Sequence, residues 1–184
     1  MTDPRLERIA SLLTLKADGM YGLSAINQRQ HALQAAWLAE KMGCADSLVV
    51  ASLLHDIGHM MHDLGDDPAE RGVDDLHEAC GYEFLRGWFG PAVTEPVRLH
   101  VAAKRYLCAT EADYFSKLSR DSVASLSLQG GPMSADEVAA FDAIPQAVDA
   151  VQLRRFDEQA KVRGLETPPV DHFLPYVERC LLPA

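Results

Sequence analysis

In the stretch Leu53-Leu54-His55-Asp56-Ile57-Gly58-His59, an apolar run suited to a helix core carries two imidazoles and a carboxylate. Burying ionisable groups costs on the order of several kcal/mol unless they are paired or bound to a metal. If residues 47–61 form one helix, His55 and His59 lie one turn apart on one face, and Asp56 projects about 100° round from His55. An adjacent His-Asp pair can then serve two neighbouring metals, with the carboxylate bridging them. The alternative is a core histidine hydrogen-bonded to a neighbouring acid, and the pair by itself leaves both open.

Further chemistry-bearing residues fall on other predicted helices. His31 belongs to a helix over residues 27–42 that Gly43 stops. Asp75-Leu76-His77-Glu78 reads as a capping box with Asp75 at the N-cap, opening a helix to about residue 88 with His77 in its first turn. Residues 91–107 carry His100 and, one turn on, Lys104, so that a ligand and an ammonium look into one cavity. Residues 146–162 carry Arg154 and Asp157 at i,i+3. His31, His55-Asp56, His77, His100 and Asp157 thus sit on five helices, each in or near an apolar face. A bundle interior is where helices converge such ligands. Two carboxylates and no thiolate favour a nitrogen and oxygen site for iron, manganese or zinc.

The elements that must position these groups are helical. Residues 5–16 show a helical apolar pattern broken by Asp18-Gly19, and the glycine-bearing stretch 20–24 reads as a loop of the kind that forms lids. Residues 111–128 form one or two helices, Ser134-Ala135-Asp136-Glu137 caps a short helix ending before Pro145, and residues 170–182 close the chain. No strand alternation or hairpin signal stands out. The expected fold is all-α, a single domain over residues 1–184, large enough to bury roughly 70% of the surface of its unfolded chain. His62 and His172 read as surface residues, Trp37 and Trp88 as core.

Composition narrows the partners. A formal charge of −10 and a pI near 5.0 argue against nucleic acid or an anionic membrane, both of which demand a basic face. Cys44, Cys80, Cys108 and Cys180 are scattered without a C-x-x-C pair, which suggests reduced, mostly core thiols in the cytoplasm. The N-terminus lacks an apolar signal region, and no run approaches the ~18 apolar residues of a membrane span.

The order H…HD…H…H…D resembles the HD-domain superfamily, whose fold is all-helical and whose members are mostly metal-dependent phosphohydrolases. The extra histidines resemble its dinuclear branch. That resemblance implies a buried dinuclear site with Asp56 as bridge, one metal taking His31, His55, Asp56 and Asp157, the other Asp56, His77 and His100. Longer stretches are more specific. Ala25-Ile26-Asn27-Gln28, Leu54-His55-Asp56-Ile57-Gly58-His59, His100-Val101-Ala102-Ala103-Lys104-Arg105-Tyr106-Leu107, Gln129-Gly130-Gly131-Pro132-Met133 and Arg154-Arg155-Phe156-Asp157-Glu158 resemble the phosphonate-degrading HD oxygenases. The likeness runs from about residue 21 to 161.

What this implies is a mixed-valent Fe(II)/Fe(III) pair that uses O2 to open the C–P bond of a small anionic 1-hydroxyphosphonate, releasing phosphate and a carboxylic acid. A metal pair roughly 3.5–4 Å apart can hold substrate and oxidant side by side. By the same resemblance His59 and Lys104 act on the reacting groups, and His59, Lys104, Ser122 and Arg154 bind the phosphonate. Tyr21 and Ser24 belong to the lid. Ser24 stands where the aminoethylphosphonate enzymes carry a Glu paired with the substrate ammonium. Losing that ion-paired hydrogen bond removes roughly 1.5–3 kcal/mol. A trimethylammonium donates no hydrogen bonds and prefers aromatic, weakly polar surroundings, which a small Ser beside Tyr21, Met60 or Met61 suits. The expected substrate is therefore (R)-1-hydroxy-2-(trimethylammonio)ethylphosphonate, giving glycine betaine. An uncharged 1-hydroxyphosphonate is the near competitor, ahead of 2-amino-1-hydroxyethylphosphonate. Rival classes are an HD phosphohydrolase of a nucleotide or phosphate monoester and a catalytically silent, ligand-binding HD domain. The expected oligomeric state is a monomer or weak homodimer.

Overall fold

The computed structural model describes residues 3–18, 26–61 and 71–183. Among these residues every regular element is a helix, and an isolated antiparallel bridge joins Phe89 and Leu181. The α-helices are α1 (Pro4–Ser11), α2 (Gln28–Lys41), α3 (Asp46–Leu54), α4 (His77–Leu85), α5 (Pro91–Thr110), α6 (Arg120–Leu128), α7 (Ala135–Asp142), α8 (Ala147–Gln159) and α9 (Val170–Cys180). The all-α expectation holds.

Local chemistry sets most helix starts. Pro4 opens α1 behind Asp3, whose carboxylate accepts the Arg5 N–H. Asn27 and Gln30 exchange a capping box at α2, and Gly43 ends that helix with φ +68°. Ser134 and Glu137 make the expected box at α7.

Three expectations need correction: the helix over residues 47–61, the Asp75 cap, and the core placement of the cysteines and tryptophans. Residues 47–61 are not one helix. α3 stops at Leu54, Asp56 takes φ −100° and ψ 11°, and a short 3-10 turn, Ile57–Met60, follows. The reason is close approach: a Cβ at Gly58 would lie 1.9 Å from the His77 carbonyl oxygen, so α4 seats on this turn at a place where only glycine leaves room. Asp75 is not the N-cap of α4. Leu76 holds that place in a left-handed conformation, φ 49°, while Asp75 turns its carboxylate inward. The cap of α6 is Ser119, and Ser122 sits three residues inside, buried. The cysteines and both tryptophans are half-buried rather than core, and Cys44, Cys180, Trp37 and Trp88 lean on the main core.

That core gathers apolar faces of α1, α2, α3, α5, α8 and α9, with Ile9, Leu53, Leu54, Val97, Leu153, Phe156 and Phe173 fully enclosed. A smaller cluster under α7 joins Leu99, Ala103, Phe141 and Ala150. α5 packs along α8, α2 against α3, and both α2 and α3 reach α8. The polar residues of the next section lie where α2, α3, α4, α5 and α8 meet. Among the described residues no helix is long and apolar enough to cross a membrane.

Candidate metal centre

Five helix regions deliver imidazoles or carboxylates to a common interior, one each except the end of α3, which delivers both His55 and Asp56. His31, His55, Asp56, His77, His100 and Asp157 are all buried. They divide into two pockets about Asp56. Asp56 Oδ2 lies 3.3 Å from His31 Nε2 and 3.4 Å from His55 Nε2, and Asp157 Oδ1 lies 3.3 Å from His31 Nε2. Asp56 Oδ1 lies 3.5 Å from His77 Nε2 and 3.6 Å from His100 Nε2. One carboxylate therefore offers a different oxygen to each side.

The outer ring nitrogens decide what the inner ones can do. His31 Nδ1 is 2.8 Å from the Ala160 carbonyl, His55 Nδ1 2.8 Å from Ser52 O, and His100 Nδ1 2.7 Å from Val97 O. A carbonyl only accepts, so these Nδ1 atoms carry the proton and their Nε2 lone pairs face inward. The Ser52 carbonyl is a free terminal group because α3 ends at Leu54, and the imidazole takes it. Gln34 fastens α2 to the segment after α8 by exchanging two hydrogen bonds with the Val162 backbone, which holds Ala160 under His31.

The result is two pairs of opposed imidazole nitrogens: His31 and His55 Nε2 at 3.0 Å, His77 and His100 Nε2 at 3.1 Å. Facing lone pairs repel unless a cation lies between or beside them. Asp56 Oδ2 is moreover buried without an aligned hydrogen-bond donor. Orphaned acceptors, outward-anchored Nδ1–H groups and a shared carboxylate are what a pair of nitrogen- and oxygen-loving cations requires, so the residues present fit two metal ions. The protonation pattern agrees. Burial opposes charge on His31, but the Asp157 and Asp56 carboxylates beside it outweigh that cost and lift its pKa to about 9. At His77 burial is likewise outweighed, by Asp75 and the charge of Asp56, again to about 9. Burial pushes His55 and His100 down against the opposing pull of Asp56, and the charge on the opposite imidazole, His31 for the first and His77 for the second, adds to the effect. Each pocket thus has a place for one positive charge.

The candidate substrate residues lie alongside. His59 points Nε2 to within 4.0 Å of Asp56 Oδ1. Lys104 is buried and donates to Ser125 Oγ at 2.8 Å. Burial, then the nearby Arg154 charge, pushes its pKa down to about 7. Buried Arg154 donates to Tyr114 Oη at 3.1 Å and to Ser122 Oγ at 2.9 Å, and pairs with Asp157 and Glu158. Tyr21 and Ser24 lie outside the described residues, as does His62. Met60 and Met61 are half-buried against the main core. His172 is exposed, as expected, and pairs with Glu40.

Four neighbours escaped the sequence reading: Asp75, Tyr114, Glu158 and Lys161. Glu158 Oε1 accepts the Ser119 N–H at 2.6 Å, tying the start of α6 to α8, and Lys161 Nζ reaches Ser119, Ser122 and Glu158. Glu158 and Lys161 stand at i+4 from Arg154 and Asp157, a spacing that could have flagged both. Asp75 and Tyr114 carry no such signal.

Known proteins share this sequence over most of its length. Residues 29–138 match the HD domain. The chain is 41% identical over 174 residues, 95% of its length and 89% of the relative's, to a 1-hydroxy-2-(trimethylamino)ethylphosphonate dioxygenase (glycine-betaine-forming) of Leisingera caerulea. It is 46% identical over 180 residues, with the same coverage of both chains, to a hydroxymethylphosphonate dioxygenase of Gimesia maris. With an all-helical fold, a buried His/Asp cluster in the H…HD…H…H…D order and relatives of this identity over nearly its whole length, the chain belongs to the HD-domain family.

Proposed function

We propose that this protein is an O2-dependent oxygenase that opens the C–P bond of a 1-hydroxyphosphonate. The observation that carries the reading is the pair of opposed-imidazole pockets bridged by Asp56, in a chain whose two named relatives are both hydroxyphosphonate dioxygenases. The reaction balances without a reductant: R–CH(OH)–PO3H2 and O2 give R–COOH and H3PO4. The C–P and C1–H bonds break, C1 is oxidised and O2 is reduced. Alignment over 95% of this chain with both relatives supports reading residues 1–184 as one HD domain; the same reading takes it to work as a monomer or weak homodimer in the cytoplasm.

His31, His55, Asp56 and Asp157 would hold one iron, and Asp56, His77 and His100 the other; a mixed-valent Fe(II)/Fe(III) pair supplies the redox chemistry by which O2 is reduced and C1 oxidised. The remaining work falls to side chains. Arg154 already shares its charge with two carboxylates, whereas Lys104 Nζ is bonded to the neutral Ser125 hydroxyl. Lys104 is therefore the cation with more charge to give an incoming phosphonate. Arg154 positions Ser122, whose hydroxyl completes the anion site. His59 presents Nε2 on the Asp56 side, where it meets the phosphonate or the C1 hydroxyl. Burial of Lys104, Ser122 and Arg154 keeps water from competing for these contacts.

For the substituent at C2, Ser24 in place of a carboxylate removes the reason to bind a primary ammonium, and (R)-1-hydroxy-2-(trimethylammonio)ethylphosphonate is the first substrate to test. The Gimesia maris relative favours a second reading, hydroxymethylphosphonate. The experiment is phosphate release by anaerobically purified, Fe(II)-loaded protein from these two compounds and from 2-amino-1-hydroxyethylphosphonate, with and without O2. Release that requires O2, least from the primary amine, is expected. Cleavage of an ordinary phosphate ester without O2, and of none of the three phosphonates with it, would return the protein to the phosphohydrolases.

A further inference from the structure

Asp75 sits in the short connection before α4, with its side chain only 7% exposed, and each of its oxygens takes a different imidazole. Oδ2 is 2.6 Å from His59 Nδ1 and Oδ1 is 2.8 Å from His77 Nδ1. The two rings lie stacked, centroids 4.1 Å apart and 19° from parallel. Their far nitrogens both turn toward Asp56 Oδ1, His77 Nε2 at 3.5 Å and His59 Nε2 at 4.0 Å. The geometry points to Asp75 as a positioning residue that sets, with one carboxylate, both a ligand of the second metal pocket and the imidazole that faces the substrate.

The physical case has three parts. A carboxylate is acceptor-only, so two Nδ1–H groups must donate to it, which fixes both rings in the tautomer whose Nε2 lone pair points inward. Stacking then leaves neither ring free to rotate without displacing the other. Finally, the backbone is strained to bring this about: Leu76, between Asp75 and His77, is left-handed at φ 49° and ψ 36° although it is not glycine and its side chain is exposed. Nothing about Leu76 itself repays that conformation, and its effect is to double the chain back so that the Asp75 carboxylate lies beneath the first turn of α4. The consequence is that metal occupancy at His77 and substrate contact at His59 are set together. The His59 half of this statement rests on the oxygenase reading; the His77 half does not.

The test uses the full chain, native and as D75N, H59N and L76G, with Zn2+ as the probe. Calorimetry reads the two Zn2+ sites, and 15N spectra of the Zn2+-loaded protein read the tautomer of each histidine. KM for the phosphonate is then compared in the Fe(II)-loaded enzymes. D75N is expected to weaken one Zn2+ site by about 10–100-fold, leave the other unchanged, abolish the Nδ1–H signature of His59 and raise KM. H59N is expected to keep both Zn2+ sites and raise KM alone, and L76G to keep native Zn2+ affinity because the carboxylate remains. Native Zn2+ affinities and a native His59 tautomer in D75N would overturn the proposal. So would loss of one site in D75N with the His59 tautomer and KM unmoved, which reduces Asp75 to support of His77. If L76G reproduces D75N, the loop and not the carboxylate does the positioning. Should D75N fail to fold, the native spectra decide: His59 or His77 without a proton on Nδ1 overturns the clamp. Absence of O2-dependent turnover would remove the proposed activity while leaving the Zn2+ and tautomer results intact.

Discussion

His31 and His55 face each other through Nε2 at 3.0 Å, each anchored from behind by a backbone carbonyl, Ala160 for the first and Ser52 for the second. In the metal-free protein such a pair is held by a proton on one member, and His31, at about 9, carries it. His77 does the same in the other pocket. Both pKa values are raised above the unfolded value near 6.5, so their contribution to the metal-free fold is complete below about that pH and is lost as pH rises through about 9. Metal must displace these protons. Stabilisation by metal, read as the difference in thermal midpoint between loaded and metal-free protein, should therefore grow from pH 6 to pH 9. The difference also cancels groups that titrate away from the pockets. A difference that shrinks with rising pH would contradict the assignment.

Asp56 offers Oδ2 to one pocket and Oδ1 to the other. Asp56→Asn keeps the shape but removes the charge and turns an NH2 toward one side, where it can only donate. Metal content after anaerobic Fe(II) loading should fall from two ions per chain to one or fewer, and activity by at least ~100-fold, the upper end of what disrupting a metal shell costs. Two ions bound in this variant would show that Asp56 does not bridge.

Lys104 is charged in the free protein only below about pH 7, because burial and the Arg154 charge depress it. If it binds the phosphonate, KM should rise as pH goes from 7 to 9, with kcat holding to higher pH because a bound anion restores the proton. Lys104→Met should raise KM by about one to two orders of magnitude, the loss of a charge-assisted hydrogen bond worth roughly 1.5–3 kcal/mol. It should also flatten the rise with pH. An unchanged profile in the variant would assign the limb to another group.

Gly58 has backbone, not flexible side chain, where a Cβ would go: His77 O at 1.9 Å, His77 C at 2.7 Å and Gly81 N at 2.9 Å. Gly58→Ala must push α4 off the 3-10 turn and move His77. Overpacking of this kind destabilises by about 1–3 kcal/mol, occasionally more, and here it should also weaken one metal site. Urea unfolding together with Zn2+ titration checks both; a variant with native stability and two native sites would mean that α4 can shift at no cost to the pocket.

The sequence alone determined the helical fold and most of the donor set. Apolar periodicity marked the helices, and His31, His55, Asp56, His77, His100 and Asp157 announced themselves because ionisable residues on apolar faces have no cheap alternative to a partner. The capping box at Ser134 fixed its helix start for the same local reason. What the tertiary structure decided depends on contacts between segments distant in the chain. The break of α3 after Leu54 follows from the seating of α4 on Gly58, which no window around residue 58 reveals. Asp75 looked like a helix cap because its neighbours fit that pattern, and only the approach of His59 shows why its carboxylate turns inward. Arg154 had several acids in helical reach, and packing against α6 and Tyr114 selected Asp157 and Glu158. Local sequence specifies which groups must be paired; the fold specifies with what, because pairing energy is gained only where helices from far along the chain converge.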